Sequence, residues 1–431
     1  MDLVIEGKAY VNDCFQNCCI GVKDGKIVEI KKILKTDKKF DFGNNLVLPA
    51  GIDVHVHFRE PGMTKKEDFS SGSMSAAFGG VSCVFDMPNT IPQTTTIKEV
   101  SEKIKLASKK SFVDFGLYFG ITNSNIDEIE SLSNKCSGFK IYLGSSTNSL
   151  LFDKKNLKDA LEKIKQTNKP VLFHAEDEKL LLKNKKVENN LFDHLKSRPS
   201  ICEVKSIKDI LNESHKINSK THICHVSSIE GLEVLKKRQK NITCGVTPHH
   251  VLLCADKNNF LKTFFKVNPP IRTIFDKEAL FNAVKNGVVD ILESDHAPHT
   301  IEEKDVFFND APSGMPGVET MFPLFLFLAK KDFVSYSRVI SLICEKPAQL
   351  HGIAKGSIKI GNDADLIIVD TKKVTKIKSE NLHSKSRWSA FEDWNAIFPT
   401  HVFIRGENVI EDNEIQVSQG FGKFVGGLNH D

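Results

Sequence analysis

Gly51-Ile-Asp-Val-His-Val-His-Phe-Arg-Glu-Pro-Gly62 is a short apolar, alternating run that reaches two histidines and then breaks at Pro61-Gly62. In a β-strand, residues i and i+2 point to the same face, so His55 and His57 project their imidazoles side by side where the strand ends. That is a metal-ligand geometry. A His-x-His pair taken alone suits an ordinary polar strand equally well, so the rest of the chain has to decide.

Seven further apolar runs follow, giving predicted strands at 52–57, 82–87, 114–122, 138–143, 171–174, 221–226, 242–247 and 288–294. Between them lie amphipathic stretches such as 98–109, 155–167, 203–217 and 229–239, which suit helices covering a parallel sheet. Eight strand–helix repeats predict an α/β fold, a (β/α)8 TIM-type barrel over 49–352, whose site sits where strands end and βα loops begin. The flanks read as β without helix: 3–6, 19–23 and 26–30 at one end, 356–361, 364–370 and 400–406 at the other. Each flank is small for a core of its own, so residues 1–48 and 353–431 are expected to pack together as one small β-sandwich.

Bulk properties narrow the function. Fifty-nine Lys+Arg against 55 Asp+Glu leave a net charge of +4, too little to imply a nucleic-acid or anionic-membrane partner. A small-molecule substrate stays open. No apolar run reaches membrane-spanning length, and acidic residues stand where a signal peptide would be basic, so a cytoplasmic protein is expected. The ten cysteines are scattered without paired Cys-x-x-Cys units and read as buried free thiols. The lysine-rich runs 31–39 and 179–186 read as solvated faces.

Polar residues recur at the predicted strand ends. Arg59 follows the two histidines, and Asp86-Met-Pro-Asn-Thr90 places Asn89 on the rim after Pro88, where a plain turn-former would also fit. Lys140 lies inside the apolar strand Gly138-Phe-Lys-Ile-Tyr-Leu143. Burial favours its neutral amine, which could take up carbon dioxide as a carbamate bridging two metal ions; reaching to solvent or to a buried carboxylate is the alternative. His174 and His225 end the fifth and sixth strands at equivalent points, whereas His222, three before His225, is expected on the opposite face. Asp295 ends the eighth, a carboxylate able to touch a metal and exchange a proton with water. Four histidines, a carbamylated lysine and an aspartate form a nitrogen-and-oxygen set suited to two zinc-like ions. His249 and His250, after the seventh strand, read as supporting residues near the rim.

With these residues in place, the sequence resembles the cyclic amidohydrolase superfamily and, within it, the dihydroorotases of the larger, binuclear type. The likeness runs from Leu48 to about His351 and is carried by Asp53-Val-His-Val-His-Phe-Arg-Glu-Pro-Gly62, Asp86-Met-Pro-Asn-Thr90, Ile223-Cys-His-Val-Ser227, Val246-Thr-Pro-His-His250 and Ser294-Asp-His-Ala-Pro-His-Thr300. It implies two Zn2+ bridged by an N6-carboxylysine at Lys140. His55 and His57 would hold one ion with Asp295, and His174 and His225 the other. It further implies a catalytic Asp295 and substrate contacts from His57, Arg59, Asn89, Asn268, His299 and the backbone at Pro316-Gly317. Some relatives carry arginine where this chain has Asn268. The implied reaction is the reversible zinc-dependent cyclisation of N-carbamoyl-L-aspartate to (S)-dihydroorotate, a step of de novo pyrimidine (UMP) biosynthesis.

Allantoinases and hydantoinases share the ligand set and are the competing readings. Arg59 with Asn89 offers a planar, charge-assisted site for the ring carboxylate of dihydroorotate, a group those substrates lack. Superfamily members that have lost ligands serve as structural subunits, but all six ligand positions are filled here. A homodimer is the default expectation, and association with aspartate transcarbamoylase is a partner open by the same resemblance. Ser145-Ser-Thr147, after the fourth strand, reads as a loop able to close over substrate or as an ordinary surface loop.

Overall fold

The computed structural model of the chain describes residues 1–145 and 150–426; side chains at 258–261 lie outside that description. Four strands come first: β1 (Leu3–Val11), β2 (Cys14–Lys23), β3 (Lys26–Lys31) and β4 (Lys39–Pro49). β1 and β2 are joined by Asn12 and Asp13, at φ of 50° and 62°, the left-handed pair that a two-residue hairpin turn requires. β4 was not expected from sequence, because Gly43-Asn-Asn interrupts its Phe40/Phe42 alternation. It pairs parallel to β1 and, after the single residue Ala50, leads into the barrel.

The barrel strands are β5 (Gly51–Val56), β6 (Val81–Asp86), β7 (Asp114–Gly120), β8 (Gly138–Tyr142), β9 (Val171–His174), β10 (Thr221–Ile223), β11 (Ile242–Val246) and β12 (Ile291–Leu292). They pair in chain order and in parallel, as the sequence rhythm predicts. A bridge from Val56 to His296, with His57 N–H donating to the His296 carbonyl at 2.8 Å, brings the far side back onto β5. β10 and β12 stop short of their expected ends, and the chain then kinks at His225 (φ 38°) and Asp295 (φ 45°). Non-glycine residues in that region are strained, and here the strain turns two polar side chains into the barrel mouth.

The remaining strands are β13 (Leu366–Val369), β14 (Thr375–Lys376), β15 (Asn395–Ala396), β16 (His401–Ile404), β17 (Glu407–Glu411) and β18 (Glu414–Ile415). Both chain ends join in one β unit, as expected; its strands form a continuous mixed sheet of order β18-β17-β16-β13-β4-β1-β2-β3. One face buries Ile5, Ile20, Val47, Leu366, Ile368 and Phe403, while Leu48, Ile367, Val402 and Ile404 on the other belong to the barrel core. The expected strand at 356–361 does not form. Gly356 and Gly361, at φ of 76° and 93°, make turns of both its ends.

Two C-terminal segments return to the barrel. Residues 422–425 run beside the start of β7, Phe115 N–H donating to the Lys423 carbonyl at 2.9 Å and Val425 N–H to the Phe115 carbonyl at 2.8 Å. Residues 383–388 cross the opposite rim, where Ser384 donates to Glu67 at 2.5 Å and Trp388 Nε1 to the His299 carbonyl at 2.8 Å. Cys14 is exposed and the other nine cysteines are buried. Among the described residues no helix is long and apolar enough to cross a membrane.

Candidate metal centre and substrate cavity

β5 delivers His55 and His57 to one face of the barrel mouth, their ring centroids 5.2 Å apart. Asp295 Oδ1 lies 3.3 Å from His55 Nε2 and 3.2 Å from His57 Nε2. Across the mouth, His174 Nδ1 and His225 Nε2 face each other at 3.2 Å, and the His55 and His225 rings are 5.2 Å apart. Ligand atoms about 2.0–2.1 Å from a tetrahedral ion lie about 3.3 Å from one another, so these spacings are those of donors arranged around cations. His55, His225 and Asp295 also offer atoms that lie within 4.8 Å of one another, a candidate metal-binding group.

Proton placement points the same way. Asn89 Oδ1 accepts a hydrogen bond from His57 Nδ1 at 2.6 Å, and Glu176 Oε2 accepts one from His174 Nε2 at 2.9 Å. That leaves a bare nitrogen lone pair of His57 facing the Asp295 carboxylate, and one of His174 facing His225. Burial pushes His55 down to about 4, with nearby Lys140 acting in the same direction, and it holds His225 well below the ordinary histidine range. Burial alone would raise Asp295, but His55 and His57 hold it well below the usual carboxylate range. Buried imidazoles at His55, His174 and His225, held below the ordinary histidine range, together with the carboxylate of Asp295, make a set that fits a divalent cation.

Lys140 is fully buried on β8, beside these residues. Its ammonium donates to Cys224 Sγ at 3.2 Å and lies 5.1 Å from the Tyr142 ring centroid. Among the described residues no carboxylate pairs with it.

Three acidic residues frame the set from below, and sequence reading gave none of them a role. Glu293 Oε1 accepts from His225 N–H at 2.6 Å while Oε2 lies 3.4 Å from both His55 Nδ1 and His222 Nε2. His222 therefore points inward under the site, not to the opposite face, because β10 ends at Ile223 and the chain kinks before His225. Gly245 makes room for Glu293: a Cβ there would sit 2.6 Å from Glu293 Oε1. Glu176 carries Arg198 on its far side, with Nε at 3.1 Å. Asp53 Oδ1 accepts from the N–H groups of His55 and Ser294, each at 3.1 Å, tying β5 to the end of β12. A usable signal was present, since Glu176 and Glu293 each stand two residues from a recognised ligand position and so share its face.

Above the ligand set is a cavity of about 370 Å³ lined by Arg59, Asn89, Asn268 and His299 as well as the ligand candidates. Arg59 is buried, with φ of 62°; its Nε donates to the Pro298 carbonyl at 3.2 Å and its Nη2 meets His299 Nε2 at the same distance. The Asn268 Oδ1 is buried without a protein partner. Pro316 and Gly317 do not line the cavity; Gly317 N–H donates to His296 Nδ1 at 3.1 Å, and Pro312, Ser313 and Gly314 form that wall instead. His250 is engaged by Thr247 at 2.8 Å and the Pro269 carbonyl at 3.0 Å, while the ring of buried His249 lies 4.5 Å away, tilted by 48°. Of the loop 145–147, Ser145 lines the cavity; Ser146 and Thr147 lie outside the described residues.

The amidohydrolase family model matches residues 46–409. A dihydroorotase of Methanosarcina acetivorans is 38% identical over 97% of this chain and 94% of its own length, and one of Thermoplasma acidophilum is 40% identical over 99% and 98%. Among solved structures, an L-hydantoinase (dihydropyrimidinase) from Arthrobacter aurescens superposes with a TM-score of 0.94 at 30% identity, covering 99% of both chains. With the barrel and its strand-end histidines and aspartate already in view, the match over most of the sequence means that the chain belongs to the amidohydrolase family.

Proposed function

We propose that the chain is a dihydroorotase, interconverting (S)-dihydroorotate and N-carbamoyl-L-aspartate. The observation that carries this reading is the buried Arg59 guanidinium, which meets His299 on the wall of the cavity that Asn89 and the ligand set also line. A buried cation needs an anion, and a ring carboxylate supplies one. The dihydroorotase relatives support the same assignment.

His55, His57 and Asp295 would hold one Zn2+ and His174 and His225 a second, with Lys140 contributing to both as a carboxylated lysine. When bound, such ions would polarise the ring carbonyl and make an attacking water more acidic. The chain's own residues do the rest. Arg59, Asn89 and His299 hold the carboxylate, and Asn268 Oδ1 accepts from a ring N–H. Asp295 takes a proton from the attacking water as its oxygen bonds to the ring carbonyl carbon, and delivers that proton to the ring nitrogen as the C–N bond breaks. Closure of carbamoyl aspartate is the reverse, with loss of water. We place the chain in the cytoplasm as a homodimer, with association with aspartate transcarbamoylase an open partnership, and divide it at about 48 and 353.

Ring opening of dihydroorotate, allantoin and hydantoin by the zinc-loaded protein tests the substrate. Dihydroorotate is expected to be preferred; preference for hydantoin, the substrate class of the Arthrobacter neighbour, or for allantoin would overturn the role given to Arg59. Metal analysis after purification with bicarbonate is expected to give two ions per wild-type chain and at most one in Lys140→Ala. One ion in the wild type would end the bridged-pair reading.

A further inference from the structure

Tyr142 closes β8 two residues beyond Lys140, so its side chain leaves the same face of the strand one step nearer the rim. It is 2% exposed and lines the substrate cavity, yet its hydroxyl has no protein partner. The contrast with Tyr118 on β7 is instructive: that buried hydroxyl donates to the Val54 carbonyl at 2.9 Å and meets His351 Nε2 at 2.9 Å. A buried hydroxyl left unpaired is costly, and one on a cavity wall is relieved when an acceptor enters.

The barrel order says which end of a ligand it meets. Arg59, Asn89 and His299 come from the loops after β5, β6 and β12, three neighbours once β12 is closed onto β5. β8 is three strands from β5 and four from β12, the opposite wall of an eight-strand ring. A ring whose carboxylate is held by Arg59 therefore turns its other end toward Tyr142.

We propose that Tyr142 is a further substrate-binding residue whose hydroxyl donates a hydrogen bond to a ring carbonyl oxygen of the bound substrate, at the end remote from the carboxylate. This rests on the dihydroorotase reading for the direction in which the ring lies, but the donor itself would serve any cyclic amide in the cavity.

Tyr142→Phe removes the oxygen and keeps the ring. Its kcat/KM is expected to fall about 10-fold for dihydroorotate and by the same factor for dihydrouracil, the same ring without a carboxylate, with metal content and Tm unchanged. In calorimetry, orotate, which keeps both carbonyls and the carboxylate, should bind about 10-fold more weakly. Combining Tyr142→Phe with Arg59→Lys should give additive losses in orotate affinity, because the two residues hold different groups. Unchanged kcat/KM and orotate affinity, a loss confined to dihydroorotate, or strong coupling to Arg59 would each overturn the proposal. If the wild type opens dihydrouracil and not dihydroorotate, the functional reading fails on its own, and the tyrosine is still judged on dihydrouracil.

Discussion

Asp295→Asn is expected to lower kcat about 1,000-fold while leaving fold and metal content largely intact. Positioned acid–base groups contribute about 100- to 10,000-fold. Asp295 occupies the one place in the mouth where a carboxylate touches both strand-end histidines, at 3.3 and 3.2 Å. Asparagine has the same shape and keeps an oxygen for a cation, but it can neither accept the proton of an attacking water nor carry it to the leaving nitrogen. The readouts are kcat with saturating dihydroorotate, metal per chain, and thermal unfolding. A mutant that keeps its metal and turns over within a few-fold of the wild type would remove Asp295 from the proton path. Loss of metal together with activity would make it chiefly a ligand, and the proton carrier would have to be sought elsewhere.

The barrel and the ligand positions were legible because they depend on local pattern. A parallel sheet buried on both faces writes its strands as apolar runs, and a functional polar residue at a strand end stands out against them. His55, His57, His174, His225 and Asp295 could be read for that reason. Glu293, Glu176 and Asp53 stood out less, even two residues from a ligand position, because their work is to hold other residues. Each satisfies a backbone N–H or a ring nitrogen supplied by another residue, and in Glu293 those partners come from strands far apart in sequence. The kinks at His225 and Asp295 were hidden too, since positive φ at a non-glycine residue leaves no mark in composition. They are also why the inward turn of His222 was misjudged from strand alternation. In the β unit, β3 and β13 followed from sequence. β4 and the return of 383–388 over the barrel rim did not, because both are held by contacts far away in sequence: β4 to β13 and Ser384 to Glu67, each more than 300 positions apart, and Trp388 to His299, 89 positions apart.

Those long-range ties lead to the second large effect, which concerns stability. Lys355 is 2% exposed and its ammonium reaches Asp114 at 2.7 Å and Asp363 and Asp365 at 2.8 Å. Asp114 begins β7 of the barrel, and also accepts from Arg405 and from the Lys423 N–H of the returning tail. Asp365 precedes β13 of the sheet and accepts from the Arg405 N–H at 2.8 Å. The sheet, the barrel base and the C-terminal tail thus meet on one buried lysine. Lys355→Met should destabilise the chain by about 3–5 kcal/mol, the cost of stranding buried charges when one partner is removed. The three aspartates raise Lys355 well above its ordinary value. A lysine raised on folding stabilises fully below its unfolded pKa and loses that contribution only as pH climbs through the folded one, so the wild type keeps this term across the neutral range. In the mutant, Asp365, which burial already raises and which has no other cation among the described residues, would have a folded pKa above its unfolded one, while Asp114 keeps Arg405 and Asp363 keeps Lys26. Asp365 then binds a proton more readily when folded, so stability drains away as pH rises from about 4 and the deficit should be larger at pH 8 than at pH 5. Chemical denaturation at the two pH values measures it, with catalytic rates at 25 °C expected near those of the wild type because the network lies at the base of the barrel. A deficit below about 1 kcal/mol, or one that shrinks toward pH 8, would mean that the carboxylates find other partners and that Lys355 does not join the three parts.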